Sequence, residues 1–210
     1  MTLILDNQII KDKEYVRDNM ILAYEQWASK GKMLGKNTRA LFKGVTTVKG
    51  YQNRYNKIFS APIEEWTQSN GSLMRCSPLI IFNDFDSIKI DTKLSNPHPN
   101  NIQCNIIYLY VMKVLIFTNK LPDINSLLGY TNSEDIKLAI NDVKNKVVRD
   151  IGDKSVKGWV ITALYCALYS IYNIEDVNDA FSRTSLHAVQ RTAKFFIDKK
   201  GDTEPSEVAL

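Results

Sequence analysis

The chain predicts an all-α single domain, and three observations carry that prediction. Most segments repeat apolar residues at spacings of three and four, the period of a helix lying on a core. Two long segments are apolar at nearly every position, which places them inside a bundle. Only "SIKID" at 87–91 alternates like a strand, and it is too short to found a sheet. The 210 residues suit one domain spanning 1–210 with a full core.

The elements follow in order. "TLILDNQII" near the start reads as the middle of a core helix. Over 13–29, Val16, Met20, Tyr24, Trp27 and Ala28 share a face. Asp12 is placed to cap that helix, and Lys30-Gly31 gives a positive last turn and a glycine stop. "IIYLYVMKVLIF" (106–117) and "GWVITALYCALYSIY" (158–172) are the buried helices. Between them, Ile136, Ala139, Ile140, Val143, Val147 and Ile151 form one stripe over 133–151. Ser133 precedes Glu134 and Asp135, carboxylates suited to a helix's positive end, and Gly152 closes the segment. Thr184 or Ser185 opens a further helix through Val189, Ala193 and Phe196.

Apolar residues at 44 % and charged residues at 24 % are the balance of a folded, soluble chain. The 27 basic and 23 acidic side chains leave a formal charge of +4, a mild excess spread along the chain. No nucleic-acid partner is expected from it, since such partners call for clustered basic stripes. No basic block followed by an apolar core opens the chain, so no signal peptide is expected. The apolar stretches are interrupted well before the ~20 residues that cross a bilayer, so no membrane partner is expected either. Cys76, Cys104 and Cys166 are odd in number and never form CxxC, which predicts buried free thiols and a reducing, cytoplasmic location.

Four loops carry chemistry. In "GKMLGKNTR" (31–39), Gly31 and Gly35 let backbone amides approach an anion, and Asn37 or Thr38 can begin a helix whose positive end faces it. A helix-to-helix turn with solvated lysines explains the same residues and is the commoner case. In "SNGSLMR" (69–75), Ser69 or Asn70 offers side-chain oxygens, Gly71 frees the backbone, and a helix follows with Arg75 one turn in. The alternative is a plain N-cap with Arg75 exposed. Pro78 is awkward deep in a helix, so the helix starts later or kinks there. In "LSNPHPNN" (94–101), two prolines around His98 make a rigid corner. That lone histidine has no Cys or carboxylate at ligand spacing and reads as a surface or capped residue. The fourth loop is "KKGDTEPSEVAL" at the C-terminal end.

Taken in order, "GKNTR" from Gly35, "NGSLMRCSPL" from Asn70, "LSNPHP" from Leu94 and "GDTEP" from Gly201 resemble the ADP-ribosylglycohydrolase family. Its members include ADP-ribosyl-acceptor hydrolases and dinitrogenase reductase-activating glycohydrolases, all-α enzymes that remove ADP-ribose from protein side chains. The corresponding family patterns are "GxxTT/NTR", "NGxxMRxxPL", a "THP"-like corner and "GGDTDT". "KGWVITALYCALYSI" is similar to the family's buried helix before its last motif. The resemblance implies a single-domain orthogonal helical bundle of the ADP-ribosylglycohydrolase type. It implies ADP-ribose, or an ADP-ribosylated protein, as partner, bound by Gly35, Asn37, Thr38, Ser69, Asn70, Gly71 and Asn96. The loop at Ser69, Asn70 and Gly71 would hold the diphosphate, with the Gly35 loop helping from the other side and Arg75 tying the loop to the core.

The resemblance also implies a magnesium cofactor, with Asp202 and Glu204 at the matching metal positions. The departures shape the expected activity. Met1-Thr2-Leu3 matches the chain immediately after the family's acidic "TDDTE"-like segment, which supplies other magnesium ligands. Pro205 replaces a threonine and has no hydroxyl, and Asn96 aligns with the histidine of the family's "TH" pair. The expectation is an incomplete magnesium site, no assigned catalytic residue, and glycosidic hydrolysis that is weak or absent. The alternative is a non-catalytic ADP-ribose-binding or scaffold module. A start at this point in the fold is also expected to expose helix amides and apolar surface, lowering stability or inviting self-association over that face.

Overall fold

The structure, a computed structural model, describes residues 1–31, 34–60, 68–82, 85–150 and 158–174. Among these residues the chain forms eight α-helices and two 3-10 segments, with no strand beyond one isolated bridge between Ser69 and Trp159. The all-α expectation holds. The helix expected from Thr184 or Ser185 lies outside the described residues.

The first four helices build one wall. α1 (Thr2–Asp12) buries Leu5 and Ile9, and α2 (Arg17–Lys30) buries Met20, Ile21, Tyr24 and Ala28. The expected face is right and the expected cap is not. Asp12 ends α1, where its carboxylate accepts Gln8 Nε2 at 2.8 Å and Asn19 Nδ2 at 3.0 Å, and α2 begins after Val16. Lys13 breaks the chain between them in the left-handed region, at φ 60°. α3 (Lys36–Phe42) and α4 (Val48–Ile58) follow, the latter opened by Thr47, whose side chain accepts the Gly50 N–H.

A 3-10 segment, Ser77–Ile81, carries Pro78 in its first turn. This settles the proline: regular structure starts after Arg75, where the missing N–H costs nothing. α5 (Asp86–Lys93) replaces the expected strand at 87–91. Ile88, Asp91 and Thr92 are its buried positions, spaced at three and four, so two faces of a short helix mimicked strand alternation.

α6 (Pro99–Thr118) is the central helix, buried from Cys104 through Met112, while its last turn exposes Ile116 and Phe117. By length and composition it could cross a membrane, with 20 residues and a mean hydropathy of 1.3, though half of it is buried inside the fold. Asn100, Asn101, Gln103, Asn105 and Lys113 interrupt its apolar run.

A second 3-10 segment (Ile124–Tyr130) leads to α7 (Glu134–Lys144) and α8 (Val160–Asn173). Ile136, Ala139, Ile140 and Val143 of α7 are buried as expected, but the helix stops before Val147 and Ile151. Lys146 adopts φ 57°, and the Val147 N–H reaches back to the Asp142 carbonyl at 2.8 Å, a helix-terminating pair of turns that leaves Val147 exposed. Gly152 and Ile151 lie outside the described residues. Cys76, Cys104 and Cys166 are free and buried, as the sequence predicts.

The fold brings the starts of α6 and α8 to one place. The Asn70 N–H donates to Gly158 O and the Val160 N–H to Gln68 O, each at 2.8 Å, pinning residues 68–70 to the entry of α8.

Candidate functional site

Arg75 is the anchor of this region. It is 2 % exposed, which excludes the alternative of an exposed side chain. Its Nε donates to Asp91 Oδ2 at 2.8 Å, Nη2 to the Asp91 carbonyl at 2.6 Å, and Nη1 to Ser95 Oγ at 2.8 Å. Asp91 Oδ1 accepts the Tyr24 hydroxyl at 2.8 Å and the Tyr15 hydroxyl at 3.2 Å. The Tyr24 ring also lies beneath the guanidinium, 5.3 Å from it. A buried ion pair persists only when its remaining donors and acceptors are satisfied, and here α1's exit, α2, α5 and the loop all contribute.

The pair governs its neighbours' protonation. Burial alone would push the Arg75 guanidinium down, and the Asp91 carboxylate overrides it, holding Arg75 above its ordinary value. Burial and then Asp91 push Tyr15 and Tyr24 up, and burial and then Tyr55 push Tyr51 up. A tyrosine raised in the fold stays neutral there while the unfolded chain ionises near 10.0. The stability it contributes is complete below that pH and declines above it, by about 1.4 kcal/mol per pH unit for each such residue. Urea midpoints should therefore fall steeply between pH 10 and 11, and Tyr24→Phe should make the fall shallower.

From Arg75 the network runs outward to the loop. Ser95 Oγ donates to Asn96 Oδ1 at 2.7 Å, and Asn96 Nδ2 donates to Ser69 O at 2.9 Å and Ser69 Oγ at 2.8 Å. Asn101 Nδ2, on the first turn of α6, also donates to Ser69 O at 2.7 Å. Asn37 Nδ2 reaches Ser95 O at 3.1 Å and draws the start of α3 to the same corner. His98 caps α6 by accepting the Asn100 N–H on Nδ1 at 3.1 Å.

The three loops read from the sequence thus converge, and their residues divide into two kinds. Ser69, Asn96 and Asn37 are spent on holding the corner, with Asn96 1 % exposed. Thr38 makes only a weak contact with Met1 Sδ at 3.9 Å, and Gly35 is exposed at the start of α3. Asn70 and Gly71 are half-buried, and the side-chain amide of Asn70 makes no hydrogen bond among the described residues. The N–H groups of Gly71, Ser72 and Leu73 make none among the described residues either, those of Ser72 and Leu73 in buried residues. The Ser69 carbonyl, which could have accepted one of them, is taken by Asn96 and Asn101. The helix expected to follow Gly71 is only a turn over 70–75, closed by the Met74 N–H on Asn70 O at 3.1 Å. Unsatisfied amides at such a turn can receive an anion. Gly71 is not there for a left-handed backbone. A Cβ would meet Asn96 Oδ1 at 3.6 Å, an ordinary contact, so what a side chain would obstruct is the approach from outside.

Asp91, Ser95 and Asn101 were missed in the sequence. Asp91 sat in the segment that alternates like a strand, while Ser95 and Asn101 sat in the quoted corner without a signal that separates them from its other polar residues. Asn101 Oδ1 is buried beside the loop and has no donor among the described residues.

Asp202 and Glu204 lie outside the described residues. Among those described, no group of three His, Cys, Asp or Glu side chains could hold a metal ion. Asp91, the carboxylate of this network, is fully buried, with both oxygens committed to Arg75, Tyr24 and Tyr15. The described residues therefore do not fit a magnesium ion, and no step through one follows from them.

A family model described as ADP-ribosylglycohydrolase matches residues 1–193. No curated protein and no solved structure matches the chain.

Proposed function

Because the chain belongs to the ADP-ribosylglycohydrolase family, we propose that it binds the ADP-ribose unit of an ADP-ribosylated protein and seats the diphosphate on the Ser69–Leu73 turn. The observation that carries this reading is the half-exposed, unsatisfied Gly71 N–H beside the uncommitted Asn70 side-chain amide, with the buried N–H groups of Ser72 and Leu73 behind them. Two phosphates need several directed donors, and charge-assisted bonds to fixed amides are about twice as strong as neutral ones. Ser69, Asn96 and Asn37 act as positioning residues, and Gly35 and Thr38 border the site from α3.

The family's reaction is hydrolysis of the bond between ribose C1 and a protein side chain, through an oxocarbenium-like state. By the family resemblance Asp202 and Glu204, which lie outside the described residues, would be the residues to hold magnesium, a group that would supply charge to orient sugar hydroxyls and water. The reading is a binder of ADP-ribose whose hydrolysis is weak or absent.

Calorimetric titration tests it. Wild-type protein should bind ADP-ribose, and Asn70→Ala should weaken binding by about ten- to a hundredfold, the range for a bond to a charged group. The Asn70 side chain holds nothing else in place, so thermal stability should stay unchanged. Absence of binding by the wild type, or equal binding by the variant, contradicts the proposal. Magnesium-dependent release of ADP-ribose at an ordinary enzymatic rate would instead establish the hydrolase.

A further inference from the structure

The mild +4 charge is not spread evenly, contrary to the expectation from composition. Between Glu25 and Glu64 the chain carries eight Lys and Arg and no acidic residue. The structure gathers most of them on one surface. Lys36, Arg39 and Lys43 recur at spacings of three and four along the exposed side of α3, opposite the buried Leu41 and Phe42. Lys49, Asn53, Asn56 and Lys57 make the exposed side of α4. Arg54 Nη1 donates to the Lys43 carbonyl at 2.6 Å and ties the two helices together at this surface. The ion pairs among the described residues involve Arg17, Arg75, Lys89, Lys137 and Arg149, and none includes Arg39, Lys43, Lys49 or Lys57.

This surface adjoins the candidate site, because Asn37, on the first turn of α3, is bonded to Ser95 O in the corner that holds Ser69. We infer that the α3–α4 face docks an acidic polypeptide segment, the carrier on which the ADP-ribose is borne. The inference rests on the reading of the loop as an ADP-ribose site and names the class of its substrate protein. Lysine ammoniums are compact point charges that suit a run of carboxylates without fixing its register.

A nucleic acid is the competing polyanion, and the aromatic residues argue against it. Phe42 and Tyr51 are buried, and Tyr55 and Phe59 continue their ring contacts at 5.3, 5.9 and 4.8 Å. These rings pack on one another, so the surface offers no stacking platform for bases.

The test is fluorescence anisotropy with a labelled oligoglutamate peptide at low and high salt. Wild-type protein should bind at low salt and lose the peptide as salt screens the charges. The triple variant Lys43→Glu/Lys49→Glu/Lys57→Glu should bind at least about tenfold more weakly, while Lys120→Glu/Lys144→Glu should bind normally. Circular dichroism confirms that these exposed substitutions leave the fold intact. No peptide binding at low salt, binding indifferent to the triple reversal, or tighter binding of a duplex DNA of equal charge overturns the inference. Free ADP-ribose separates the two readings, since the triple variant should bind it as the wild type does. ADP-ribose bound without oligoglutamate removes the docking surface alone, and oligoglutamate bound without ADP-ribose removes the loop reading and the link to a modified carrier.

Discussion

Arg75→Met should cost about 3–5 kcal/mol of stability, because it leaves the Asp91 carboxylate buried without its counterion. Asp91 is fully buried, so water cannot take over from the three lost bonds of the guanidinium. A domain of ordinary stability has about 5–15 kcal/mol in all, so the variant stands near the edge of folding. Urea denaturation measures it, and a midpoint within error of the wild type would refute the role given to the pair. The double variant Arg75→Met/Asp91→Leu should recover part of the loss, since no unpaired charge remains. Recovery will be incomplete because the Tyr15 and Tyr24 hydroxyls lose their acceptor. The loss of Ser95's donor should also loosen Asn96 and Ser69, so whatever folds should bind ADP-ribose poorly.

Phe42→Ala is the second large effect, expected at about 3–5 kcal/mol for a buried aromatic ring. Phe42 is fully buried, stacks on Tyr51 at 5.3 Å and meets the edge of Tyr24 at 5.6 Å. The ring joins α3 and α4 to α2, so its loss opens a cavity between the wall of the fold and the Arg75–Asp91 pair beneath Tyr24. Thermal melts report the stability. A loss below about 1 kcal/mol would mean that the neighbouring rings collapse into the space.

Legibility in the sequence followed the type of signal. The helical faces of α2 and α7 were readable because their apolar residues keep the 3.6 period over several turns, and α8 was readable because it is apolar nearly all round. Ends were not: Lys13 and Lys146 stop helices from left-handed backbone, a role that sequence reading assigns to glycine or asparagine. α5 was misread because a single short helix with alternating apolar and polar residues satisfies both periods for a few positions. The three loops were located by their residue types and by their order along the chain. Their division of labour was not legible, since Ser69, Asn70 and Asn96 are chemically alike on paper. Which of them is spent on the scaffold depends on partners more than twenty positions away, such as Ser69 with Asn96 and Asn101. The buried Asp91 that sets up the whole arrangement needed three dimensions to find. The acid-free basic stretch between Glu25 and Glu64 was legible in the sequence but averaged away in the net charge, while its gathering on the exposed sides of α3 and α4 was not.

The account stands or falls on the turn itself, and amide NMR during titration with ADP-ribose examines that turn residue by residue. A diphosphate on the turn should shift the Gly71 N–H and the Asn70 side-chain amide strongly downfield, saturating together, with smaller shifts at the buried Ser72 and Leu73 N–H groups. Signals of those groups that stay fixed while ADP-ribose binds elsewhere, or that never respond at all, would contradict it.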